Sequence, residues 1–107
     1  DIHCWPFILE AKDVKSPSVP TWLRQADTEA INASFPYGVV VHKTRGKGPA
    51  LARVHISDET WTRVLDDLEY EPDGLPIPTF TRGYWTWTLA QFAEVLAAVR
   101  YQTQPPQ

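Results

Sequence analysis

The run Tyr37-Gly-Val-Val-Val-His42 constrains the fold of this chain most. It is short, apolar and β-branched, which favours a strand. A strand turns alternate residues to opposite faces of its sheet. Near-continuous apolarity therefore predicts a strand buried on both faces, and such a strand needs a covering layer on each side. Helical spacing supplies the layers. Trp22, Leu23, Ala26, Ala30 and Ala33 predict a helix over 20–34, with Pro20 in its first turn and Pro36 as its stop. Ser57 reads as the N-cap of a second helix, with Asp58 and Glu59 in the first turn and Trp61, Val64, Leu65 and Leu68 on its apolar face. Leu89, Phe92, Ala93, Leu96 and Val99 give a third helix, to about residue 101. Residues 52–56 alternate as a half-buried strand does, and 84–88 interleave aromatics with threonines as a last strand. The expected architecture is α/β (mixed α+β), a central mixed sheet flanked by helices.

At 107 residues the chain is read as one domain over 1–102 with a tail at 103–107. Residues 15–20 and 71–80 carry the prolines of loops, and Lys43-Thr-Arg-Gly-Lys-Gly48 is a basic, glycine-rich loop. Five tryptophans imply large aromatic core elements or a stacking surface. Trp85 and Trp87 share a strand face and read as core or dimer surface ahead of a base-stacking platform; Trp22 reads as core. The single cysteine, Cys4, excludes an intrachain disulfide and suits a reducing cytosol. His3, Cys4, His42 and His55 match no common zinc spacing, and Cys4 reads as a buried thiol. No stretch approaches about 20 continuous apolar residues, so no membrane span is expected. The chain opens on Asp1 rather than Met, inside what reads as a strand, so elements before Asp1 are expected to be missing.

The opening stretch carries the chemistry. Residues 6–12 read as a strand, with Asp1-Ile2 ending the strand before it and His3-Cys4-Trp5 in the turn. Glu10 and Lys12 then point the same way and Ala11 the other. A carboxylate and an ammonium at the end of an apolar strand cost desolvation energy, which makes sense if the pair has a task. The blander reading is an ion pair on an edge strand. Asp1 likewise reads either as a functional acid or as a frayed terminal one. Gln25 can also be half of a solvated pair with Glu29, and the 43–47 loop can be a solubilising hairpin.

Asp1-Ile2, Glu10-Ala11-Lys12, Trp22-Leu23-Arg24-Gln25-Ala26 and Val41-His42-Lys43-Thr44-Arg45-Gly46 stand in an order that resembles the PD-(D/E)xK nuclease superfamily. More narrowly, they resemble phage and prophage Holliday junction resolvase-like proteins. The resemblance covers about residues 1–57, and the strand–helix ending at 84–101 fits that family's C-terminus. It departs at the turn, where His3 and Cys4 stand in place of the family's usual glycine, and in lacking the family's first helix and strand. The resemblance implies a restriction-endonuclease-like core, Mg²⁺ or Mn²⁺ as cofactor, and branched DNA as substrate of a homodimer in a bacterial or phage-infected cytoplasm. Asp1, Glu10 and the backbone carbonyl of Ala11 would then hold the metal. Lys12 and Gln25 would serve the attacking water or the phosphate, and Lys43, Arg45, Lys47 and Arg53 would hold the nucleic-acid backbone. A net charge of −3 argues against coating nucleic acid by bulk charge, but a local basic patch suffices for a nuclease.

Overall fold

The computed structural model describes residues 2–13, 18–43, 46, 48–68 and 73–103. Six strands form one mixed sheet: β1 Ile2–Cys4, β2 Phe7–Lys12, β3 Tyr37–His42, β4 Arg53–Ser57, β5 Thr79–Thr81 and β6 Tyr84–Thr88. Their spatial order is β1-β2-β3-β4-β6-β5. Only β2 and β3 run parallel, and helix α1, Val19–Asn32, connects them; every other pairing is antiparallel. Helix α2, Asp58–Asp67, follows β4, and α3, Leu89–Gln102, follows β6.

The helices divide between the two faces. Helices α2 and α3 cover one face, where Trp61, Val64, Phe92, Val95 and Val99 join Phe7, Val39, Val54, Ile56 and Trp87 in the main core. Trp87 is fully buried there, edge-on to Trp61, while Trp85 on the same face is half-buried and donates its indole N–H to Asp58. Helix α1 covers the other face with Trp22, Leu23 and Ala26 packed around Val40. Residues 37–40 of β3 are buried throughout, as the apolar run required.

Local chemistry explains the element ends. The Ser57 hydroxyl accepts the Thr60 N–H at 3.1 Å and caps α2 with Asp58 and Glu59 behind it. Thr88 and Gln91 form a reciprocal capping box at the start of α3. Helix α1 stops at Asn32, before Pro36. Ser34 takes a left-handed φ of 59°, and the N–H groups of Ser34 and Phe35 close on the carbonyls of Ile31 and Ala30. At Gly38 the chain has no room for a side chain, since a Cβ would lie 2.4 Å from the Ala26 carbonyl oxygen. This glycine lets α1 press directly onto β3.

Three expectations need correction. β1 includes His3 and Cys4, which pair with Ile8 and Phe7, so the turn is Trp5-Pro6. Cys4 is half-buried rather than buried. The loop read over 71–80 contains the start of β5, which pairs with β6 across a turn at Arg82-Gly83, both at positive φ. Pro76 and Pro78 mask this strand in the sequence, yet both precede it.

Candidate nucleic-acid-processing face

Strand alternation sends Glu10, Lys12, His42, Arg53, His55, Thr86 and Thr88 to the α1 side of the sheet. Register then aligns them in two rows. Lys12, His42, Arg53 and Thr88 stand opposite one another across β2, β3, β4 and β6. The neighbouring row is Glu10, Val40, His55, Thr86 and Thr79. Four strands at about 4.8 Å spacing put roughly 14 Å between the two ends of the first row.

Glu10 and Lys12 meet as expected: Nζ lies 3.8 Å from Oε1, with the side chains 23% and 24% exposed. The Lys12 carbonyl accepts the Lys43 N–H at 2.9 Å, so the chain leaving β3 is tied to the chain leaving β2. Ala11 faces the other way. Its side chain borders a cavity of about 280 Å³ with Val41, Ala52, Leu89, Lys12 and Lys43. Gln25 is exposed on the outer flank of α1, beside Thr21, Arg24, Thr28 and Glu29. Arg53 is exposed. Asp1, Arg45 and Lys47 lie outside the described residues.

A chain of rings that the sequence did not link runs across the two rows. Trp22 contacts His42 edge-on at 5.1 Å; His42 lies 6.1 Å from His55, and His55 meets Tyr84 edge-on at 5.5 Å. His55 is 6% exposed, its Nδ1 is 2.8 Å from the Thr86 hydroxyl, and its Nε2 is buried without a hydrogen-bond partner. Burial, then the nearby His42 and Arg53, pushes its pKa down to about 4, so the imidazole is neutral at pH 7. The available signal was the alternation of Arg53, His55 and Ser57 on β4, which marks a polar face but gives no partner strand.

Acidic side chains gather on α2. Asp58, Glu59, Asp66 and Asp67 stand on α2. The Asp67 carboxylate accepts the Tyr37 hydroxyl at 3.0 Å, and burial followed by this contact raises the Tyr37 pKa. On the α1 side, Lys12 and Arg53 are separated by one strand only. Asp27, near the other end of α1, accepts the Thr60 hydroxyl; burial raises its pKa despite that bond and the nearby Arg63.

No protein-family model matches the chain, and no curated protein or solved structure is similar to it. No described helix is long and apolar enough to cross a membrane. Among the described residues, no three of His, Cys, Asp and Glu stand close enough together to hold a metal ion.

Proposed function

We propose that the protein is a Mg²⁺- or Mn²⁺-dependent endonuclease on a restriction-endonuclease-like core, acting as a homodimer on branched DNA such as a Holliday junction. One observation carries this reading. Glu10 and Lys12 share a face near the carboxyl end of β2, 3.8 Å apart, with His42 and Arg53 in register beside Lys12. The order β1, β2, α1, β3 also follows the succession of elements on which the resemblance rests.

The donor chemistry suits a hard cation. Mg²⁺ is held by one or two carboxylates and keeps several waters. Glu10 supplies one carboxylate, and Asp1 with the Ala11 carbonyl would complete the set. A bound divalent cation supplies Lewis acidity and a more acidic water. Lys12, already held against Glu10, would orient the attacking water or meet the developing charge on phosphorus. Gln25 would reach the water or a phosphate from α1. Lys43, Arg45, Lys47 and Arg53 would hold the backbone without reading sequence.

The test is cleavage of a synthetic four-way junction in Mg²⁺ by wild type, Glu10→Ala and Lys12→Ala. Loss of product in both variants, with folding intact, is expected; undiminished product in either removes that residue from the site. A second reading is a nucleic-acid-binding module on the same fold that does not cleave. It draws on the basic row, which suffices for binding alone. Tight junction binding by wild type with no metal-dependent product would favour it. A protein-interaction role for strand 84–88 fits less well, since Trp87 belongs to the core and the strand is paired on both edges.

A further inference from the structure

The α1 helix covers only part of its face. Beyond it, β4, β6 and β5 leave a groove of about 350 Å³ lined by Arg53, Thr79, Thr81, Thr86, Thr88 and Gln91. The lining is one guanidinium among hydroxyls and a carboxamide, with Trp87 beneath. The pairings Thr79↔Thr86 and Arg53↔Thr88 put these groups on one surface. Thr88 uses its oxygen to accept the Gln91 N–H, and Gln91 uses its carbonyl oxygen to accept the Thr88 N–H. The Thr88 hydroxyl proton and the Gln91 NH₂ are therefore still donors. Thr79 and Thr81 are exposed.

We propose that this groove is a backbone tract for a single nucleic-acid strand, continuing the row Lys12, His42, Arg53 and Thr88 away from the Glu10–Lys12 centre. The inference rests on the nuclease reading and narrows its substrate to branched DNA that carries a single-stranded arm. Arg53 is the only charged side chain in the lining, and the hydroxyls and carboxamide around it can donate as well as accept, which suits an anionic, oxygen-rich chain. Arg53 supplies charge for a phosphate, and the hydroxyls and carboxamide meet neighbouring phosphate and sugar oxygens. Threonine side chains are short, so the ligand must reach the floor of the sheet. The lining spans β4, β6 and β5, about 10 Å at the usual strand spacing, which is room for the backbone of one strand. The aromatic in the lining, Trp87, is 1% exposed and offers no stacking platform, so the grip is on the backbone and independent of sequence.

The experiment is binding of a short oligothymidylate in EDTA across a salt series, for wild type, Arg53→Gln, Thr79→Val with Thr81→Val, and Arg100→Gln as a control at the far end of α3. Valine keeps the shape and strand preference of threonine while removing the donor. Arg53→Gln is expected to weaken binding about tenfold and to flatten the slope of log K against log salt by about 0.7. The double threonine variant is expected to weaken binding about threefold with the slope unchanged, since neutral donors release no counterions. Arg100→Gln should match wild type. Wild-type affinity and slope in both groove variants, or no wild-type binding at low salt, overturns the tract. If the groove variants bind as wild type while Glu10→Ala abolishes junction cleavage, the tract falls and the nuclease stands. If nothing is cleaved but Arg53→Gln shifts binding as stated, the tract stands without the nuclease.

Discussion

The two faces of the sheet are built from the same six strands and solve different problems. The face under α2 and α3 is closed by aromatic and branched side chains, with Trp87, Phe92 and Phe7 at 1% exposure or less. The face under α1 is closed over β2, β3 and part of β4, and in register it carries Glu10, Lys12, His42, Arg53, His55 and four threonines. One face concentrates apolar burial, the chief favourable term in folding. The other keeps polar groups at the surface, where ligands can reach them, and stability there depends on one helix pressed close. Strand alternation makes this division possible, because adjacent residues on one strand serve opposite purposes.

The largest effect should come from breaking the closed face. Phe92→Ala removes a ring that packs against Phe7 and Trp87, and should cost about 3–5 kcal/mol in a denaturant titration. A loss below about 1 kcal/mol would mean that this core is not continuous.

Acid should act mainly on the open face. His55 has a folded-state pKa of about 4 against an ordinary 6.5, so between those values the unfolded chain binds the extra proton. Its contribution is full above pH 6.5, falls as pH drops toward 4, and amounts to about 3 kcal/mol at most. A stability–pH curve of His55→Gln should be flatter than wild type over that window. Parallel curves would deny the burial penalty.

A smaller effect is expected at Gly38. Gly38→Ala forces the Ala26 carbonyl away from β3 and should cost about 1–3 kcal/mol, with hydrogen exchange rising in α1 ahead of α3. Uniform exchange would show that the α1 layer is not independently weak.

Much of this division was legible in the chain. The apolar run at Tyr37–His42 demanded two covering layers, the Ser57 cap placed α2, and the spacing of Glu10 and Lys12 put both on one face. Pairing was not legible. The row from Lys12 through His42 and Arg53 to Thr88 joins residues 76 positions apart, and it exists only because β4 reverses against β3 and β6 against β4. β5 escaped because a three-residue strand following Pro76 and Pro78 has too little pattern of its own, although alternation across the Arg82-Gly83 turn carries it. Helical spacing fixed α1 but not the surroundings of Gln25, which stands exposed beside Thr21, Arg24, Thr28 and Glu29.

The most direct test of the account is a chemical-shift map of the protein titrated with a short forked DNA in EDTA. Changes should cluster at Lys12, His42, Arg53, Thr81 and Thr86, with α2 and the aromatic groove around Trp61, Leu75 and Trp85 silent. Changes centred on that groove, with the α1-side rows unmoved, would contradict the assignment of function to the open face.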